Sequence, residues 1–162
     1  LILACRLHGV KRFWTDRFIP IGNSTNNDIK PISTASFIKA MIVLGQEHKL
    51  NLFGMRVHPN RAMQFMSGCG ELYECSAGKQ LITILADGTV LPCRRLPIKV
   101  GNALEDTIYS IYCTNNTMKE LRENTNNKCE ACGLYNKCRG GAKCLTYAVK
   151  GTLNEKDINC IF

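Results

Sequence analysis

CSAGKQLITILADGTVLPC, residues 75–93, and CEACGLYNKCRGGAKC, residues 129–144, hold the spacings that decide how this chain is read. Five residues separate Cys69 from Cys75, which is followed after twelve residues by Gly88 and after four more by Cys93. The second stretch runs Cys129-x2-Cys132-x5-Cys138, with Cys144 after five intervening residues and Cys160 downstream. Eight of the ten cysteines thus fall into two interlocking sets. Eight thiols make two four-thiolate sites, and such a site suits either zinc or an iron-sulfur cluster.

The residues between the thiols explain how they converge. A C-x2-C knuckle turns the backbone so that two sulfurs meet at one centre, with Gly133 easing the turn after Cys132. Residues 81–86 and 89–91 are β-rich runs around Asp87-Gly88, a hairpin signal that predicts the return of Cys93 toward Cys75. Pro92 has no backbone N–H and marks the end of ladder pairing, just before Cys93.

The pattern C-x12-G-x4-C, gap, C-x2-C-x5-C, gap, C resembles the SPASM domain, the C-terminal auxiliary-cluster module of many radical S-adenosylmethionine enzymes. The likeness covers residues 69–162. It implies an α+β fold: residues 1–65 as the end of a partial (β/α)6 radical barrel, and residues 66–162 as a SPASM domain with a β-hairpin, helices and cysteine-rich loops around two clusters. It further implies that Cys69, Cys75, Cys93 and a cysteine after the Gly140-Gly141 pair hold a first auxiliary 4Fe-4S cluster. Cys129, Cys132, Cys138 and Cys160 would hold a second. Many members place a cysteine directly after the glycine pair; here that residue is Ala142 and the nearest thiol is Cys144. If Cys144 closes the first site, one of its ligands lies inside the span of the second, and the two sites fold as one unit.

The C-x3-C-x2-C loop that holds the S-adenosylmethionine-cleaving cluster of this family occurs nowhere in these residues; the one thiol before Cys69 is Cys5. The resemblance therefore implies the C-terminal portion of a longer oxidoreductase. S-adenosylmethionine and a third 4Fe-4S cluster would belong to a preceding part, and the present residues alone should not generate a radical.

Composition is consistent with a metal-stapled module. At 162 residues the chain has room for one ordinary core or two small ones. No run of eighteen apolar residues and no basic leader with a cleavage site is visible, so neither a membrane span nor a secretory signal is expected. Cysteines at metal spacings are then expected as ligands in a reducing cytoplasm rather than as disulfides. The formal charge of +8 would ordinarily suggest nucleic acid. Two clusters held by thiolates would bring in roughly −4, so much of the basic excess offsets anionic groups, and no basic run with interleaved aromatics points to nucleic acid.

Upstream, Gly9 predicts a helix stop before a strand-like run at residues 10–15. Ser33 or Thr34 can cap a helix of about fourteen residues with Phe37, Ile38, Met41, Ile42 and Leu44 on one side. GVKRFWTDRFIPIGN, residues 9–23, resembles the last barrel strand and its loop, which makes Asp16 and Arg17 candidate substrate or cofactor contacts. Residues 103–124 predict one or two helices with Leu104, Ile108, Ile111 and Tyr112 as an apolar stripe, and residues 124–127 predict a turn. Cys5 and Cys113 read as packed thiols, and His8, His48 and His58 share no ligand spacing.

Arg94 and Arg95 follow a ligand and are candidates for binding a substrate carboxylate or favouring a reduced cluster. Sulfatase-maturing members commonly carry an acidic base where this chain has Arg94, which argues against that branch. The resemblance points first to radical modification of a ribosomally made peptide or protein, with a small molecule in cofactor or haem biosynthesis as the alternative. An electron donor such as flavodoxin or ferredoxin is implied as a partner. A zinc-stapled binding domain is the competing reading of the same thiols.

Overall fold

Strand β1 (Arg12–Thr15) and strand β2 (Arg56–Pro59) pair in parallel, from Arg12 opposite Arg56 to Thr15 opposite Pro59, with the long helix of the N-terminal part between them in sequence. The structure is a computed structural model that describes residues 1–22, 29–59, 62–69, 73–123 and 128–162. Ahead of β1, helix α1 (Ile2–Leu7) ends at His8, and Gly9 takes φ +73°, as its place after a predicted helix requires. Helix α2 (Thr34–Leu50) is capped by Ser33, not Thr34: the Ser33 hydroxyl accepts the Ser36 backbone N–H at 3.2 Å. Parallel strands need such a crossover helix, so β1, α2 and β2 form one βαβ unit. The (β/α)6 barrel implied by the resemblance is not shown by this one pair of strands.

Phe37, Met41 and Leu44 of α2 pack with Met55, Val57 and Met63 into one core. Ile42, placed on the same stripe by the sequence, is instead half exposed at 51%. It sits one residue, about 100° of helix rotation, past Met41. Cys5 packs on this core as a partly buried thiol.

Downstream, β3 (Thr83–Ile84) and β4 (Thr89–Leu91) form the predicted hairpin, with Thr83 opposite Leu91 and Ile84 opposite Val90. Its turn is held by Asp87, whose carboxylate accepts the Thr89 N–H at 3.0 Å. Gly88 adopts φ +81°, and a Cβ there would meet the Asn102 Oδ1 at 2.4 Å, so both backbone and space demand glycine. A short third strand, β5 (Gly101–Asn102), adds to β4. Two residues, one of them glycine, carry no strand signal in sequence.

Helices α3 (Ile108–Thr114) and α4 (Asn116–Glu123) follow, capped by Thr107 and divided at Asn115. Asn115 accepts the Met118 N–H and donates to the Val100 carbonyl, so it caps one helix while tying it to the sheet. The predicted stripe is corrected at Leu104, which lies in the turn before α3 at 81% exposure. Ile111 is buried with Val90, Val100 and Met118. The turn expected at residues 124–127 lies outside the described residues. Helices α5 (Tyr135–Cys138) and α6 (Lys143–Lys150) carry the last cysteine-rich segment.

The N-terminal part and the cysteine-rich part are joined across the 65/66 boundary. The Thr34 hydroxyl donates to the Ile158 carbonyl at 3.3 Å, and the Asn159 side-chain amide donates to the Ile32 carbonyl at 3.0 Å. Arg17, on the loop after β1, forks onto Asp157 with nitrogen to oxygen distances of 2.6 and 2.8 Å. Among the described residues, no helix is long and apolar enough to cross a membrane.

Candidate metal centre

Cys75, Cys93 and Cys144 line one cavity of about 70 Å³ together with Arg95 and Ala142. The hairpin supplies the first two, since β4 ends at Leu91, Pro92 follows, and Cys93 is turned into a bridge with Leu96. The third comes from the second residue of α6. Arg139, Gly140 and Gly141 all take positive φ (52°, 79° and 73°), and this left-handed run delivers Cys144 across the two residues that separate it from the expected position at Ala142. The three thiols also pack against Ala77, Leu96, Leu121 and Leu153.

Burial raises the Cys75 thiol above its ordinary range. The Cys144 thiol is pushed up to about 11, by burial first and by Cys75 and Cys93 beside it, against the opposing pull of Arg95. Without metal these thiols are therefore protonated near neutrality, and binding a cation must displace their protons.

A second group forms around α5. Cys129 is buried, its thiol raised by that burial and then by Cys160 and Cys132 nearby. Cys138 is pushed up to about 11 by burial, with the Asp157 carboxylate and Cys160 adding to it. The structure thus brings Cys75, Cys93 and Cys144 to one cavity, and sets Cys160 close enough to act on both Cys129 and Cys138.

Cys69 is not among the residues lining the first cavity. Its sulfur contacts the Ser67 hydroxyl at 3.2 Å, and residues 70–72, between it and Tyr73, lie outside the described residues. All ten cysteines, every one of them described, are free thiols.

Among the described residues no three His, Cys, Asp or Glu side chains close on a point as ligands of one ion would. A single zinc holds four sulfurs about 2.3 Å from a common centre. A cuboidal cluster instead takes one thiolate at each corner and spreads them across its core. Three thiols around one cavity and a donor set made only of sulfur suit either group.

Of the charged candidates, Asp16 accepts from the Arg95 guanidinium, and both line the first cavity. The Arg95 backbone N–H also points at the Cys93 sulfur, 3.4 Å away. Arg94 is exposed and absent from the cavity lining. Arg95, two residues from Cys93, is thus the arginine the site uses. Arg17 reaches the cavity but spends its guanidinium on Asp157 and Asn159 and on the face of Phe37. His48 and His58 meet edge to face with 6.0 Å between ring centres, away from the thiols.

Residues 75–139 match the family model of SPASM, an iron-sulfur cluster-binding domain. That stretch is similar to a SPASM domain. Over 90 residues it is also 30% identical to the AdoMet-dependent heme synthase of Methanosarcina barkeri (strain Fusaro / DSM 804), an alignment covering 54% of this chain and 26% of that relative. The chain therefore spans about a quarter of the relative's length. No solved structure matches significantly. The SPASM match takes in Cys75, Cys93, Cys129, Cys132 and Cys138; Cys69, Cys144 and Cys160 flank it.

One expectation separates the SPASM thiols from the rest of the fold. Two thiol groups built into the packing should lose order when cluster is removed, whereas the Phe37 core, made of apolar side chains, should not. Amide exchange on chelation should accelerate in β4, α5 and α6 by at least tenfold and stay nearly unchanged in α2; equal exchange throughout would show that metal does not organise the domain.

Proposed function

We propose that this chain is the auxiliary-cluster portion of a radical S-adenosylmethionine enzyme and holds two 4Fe-4S clusters. The observation that carries the reading is the convergence of Cys75, Cys93 and Cys144 on one cavity, beside a separate group of Cys129, Cys132, Cys138 and Cys160. Cys69 is the fourth ligand proposed for the first site. When bound, such clusters supply one-electron transfer or a metal position for substrate. The chain's own residues exclude water from the thiols, fix them on the hairpin and on α6, and set positive charge beside Cys93 through Arg95.

The substrate of the whole enzyme is proposed to be a small cofactor precursor of the haem type. The relative from Methanosarcina barkeri, an AdoMet-dependent heme synthase, supports this class. No residue of this chain favours a ribosomally made peptide. A cavity of about 640 Å³, lined mainly by apolar side chains such as Phe13, Phe18, Ile32 and Phe37, shares Asp16 and Arg17 with the thiol cavity, and its size suits a small-molecule ligand. An acidic electron donor such as flavodoxin or ferredoxin, in a reducing cytoplasm, fits the outer side of the second group, where Lys128 and Lys156 flank Cys132.

Anaerobic reconstitution followed by metal and acid-labile sulfide analysis tests the cluster reading. About eight irons and eight sulfides per chain are expected; two zincs and no labile sulfide would replace it with a zinc-stapled binding domain. For the substrate, the enzyme including its S-adenosylmethionine-cleaving part should form 5′-deoxyadenosine with a haem precursor and not with a peptide; the reverse result would overturn the cofactor assignment.

A further inference from the structure

The pairing of β1 with β2 brings together four side chains that no local motif joins. In the parallel register Arg12 lies opposite Arg56 and Trp14 opposite His58. Alternation along each strand sends these four to one face of the sheet, while Phe13 and Val57 between them point to the other and pack in the Phe37 core. On the outer face they line a shallow groove of about 420 Å³. Neighbouring strands lie about 4.8 Å apart, and alternate residues of one strand about 6.6 Å. Two guanidinium-bearing residues therefore stand side by side at one end of the groove and two rings at the other.

This face differs from an ordinary solvated surface. Like charges directly opposite each other destabilise a sheet, and among the described residues neither arginine has an acidic partner. Trp14, the sole tryptophan of the chain, is 53% exposed although indole rings are ordinarily covered. His58 is braced from the side: the His48 ring meets it edge to face and donates from Nδ1 to the Val57 carbonyl at 2.6 Å.

Carboxylates carried on the edge of a flat ring match both ends of the groove. A guanidinium forks onto a carboxylate with two parallel hydrogen bonds. Two such carboxylates supply the negative charge that the facing arginines lack, and the ring to which they are attached covers Trp14. The apolar cavity of about 640 Å³ lies on the opposite face of β1, where Phe13 and Thr15 line it. Its charges suit carboxylates less well, because Arg17 is committed to Asp157 and Asn159, and Asp16 and Glu47 are themselves acidic. We propose that Arg12, Arg56 and Trp14 form a binding site for the carboxylate-bearing edge of a flat, haem-type ring. This rests on the substrate class proposed above, which 5′-deoxyadenosine formation by the unaltered enzyme tests by itself.

The test measures binding of a metal-free porphyrin with carboxylate arms to the enzyme including its S-adenosylmethionine-cleaving part, through the fluorescence anisotropy of the porphyrin. Arg12→Gln and Arg56→Gln should each weaken binding about tenfold, and the two together about a hundredfold. Arg12→Lys and Arg56→Lys should recover only part of the loss, since an ammonium lacks the fork. Trp14→Leu should weaken binding about fivefold. Lys11→Gln, which removes an exposed charge outside the groove, should leave it in place. Melting separates recognition from structure: relief of the like-charge pair should leave the melting temperature of either glutamine variant unchanged or raised. Esterifying the carboxylates should weaken binding as much as the double variant does, and inorganic phosphate or a nucleoside monophosphate should compete poorly. Unchanged affinity in the arginine variants or in Trp14→Leu would overturn the proposal. So would an equal loss in Lys11→Gln, a lowered melting temperature in both glutamine variants, tight binding of the ester, or displacement by phosphate. If the unaltered enzyme still consumes a haem precursor, those outcomes remove this site and leave the substrate class standing; consumption of a peptide alone would remove both.

Discussion

Cys144→Ala is expected to take the reconstituted protein from about eight irons to about four, while the signal of the second site persists. Cys144 shares its cavity with Cys75 and Cys93, and its thiol is held in the neutral form by burial and by those two sulfurs. Three thiols arranged in this way make a site whose stability depends on each, because a metal centre that loses a ligand must recruit water into an apolar pocket. Leu96, Leu121 and Leu153 line that packing and offer no replacement donor. Cys144→Ser should recover part of the iron, since oxygen ligates more weakly than sulfur. Cys113→Ala, which removes a half-buried thiol in α3, should leave both sites intact. Unchanged iron and spectra in the Cys144 variant would mean that the first site keeps an open position, and direct ligation of substrate would become its natural use.

The second large effect is expected at the buried pair Arg17–Asp157, whose side chains are 10% and 1% exposed. Asp157 does more than pair. Its Oδ2 accepts the Ala142 N–H at 2.7 Å and its Oδ1 accepts the Asn159 N–H at 2.9 Å, so one carboxylate fixes the backbone on both sides of the second thiol group. Arg17→Ala should lower stability by roughly 3–5 kcal/mol, the usual cost of leaving a buried charge unpaired. Thermal loss of cluster absorbance should move down accordingly, with the second site failing first. Arg17→Lys should rescue only partly, because an ammonium cannot reproduce the two-pronged contact. Gly141→Ala should resemble Arg17→Ala, since its Cβ would sit 2.4 Å from Asp157 at φ +73°. An Arg17→Ala protein that keeps its melting profile would show the clamp to be dispensable.

These two sites differ in how far sequence reveals them. The hairpin was legible because Asp87-Gly88 fixes both turn and register, and its consequence for Cys75 and Cys93 followed from chain geometry. The flexibility around Ala142 was legible in the glycine pair, although the left-handed Arg139 beside it was not. Local signals also gave the cap of α2 within one residue and the two helices after residue 103. What stayed hidden depends on partners far away in sequence. Arg17 and Asp157 are 140 residues apart, and nothing near either names the other. Arg12 and Arg56 read as ordinary surface charges until β1 and β2 are paired. Leu104 misled because an apolar residue at helical spacing belongs to a stripe only if the helix includes it.

The interleaving of the thiol groups sets an order of events during protein synthesis. Cys75 and Cys93 leave the ribosome early, but their partner Cys144 and the Asp157 carboxylate that anchors its loop come much later, and Cys160 later still. At ordinary translation rates the interval from Cys129 to Cys160 lasts roughly two to six seconds. Throughout it the emerging thiols have neither metal nor a finished pocket. With the ligand sets proposed above, loading of the second site awaits a nascent chain long enough to contain residue 160, and a chain cut short within α6 would carry thiols of both sets and complete neither the second set nor the Asp157 anchor.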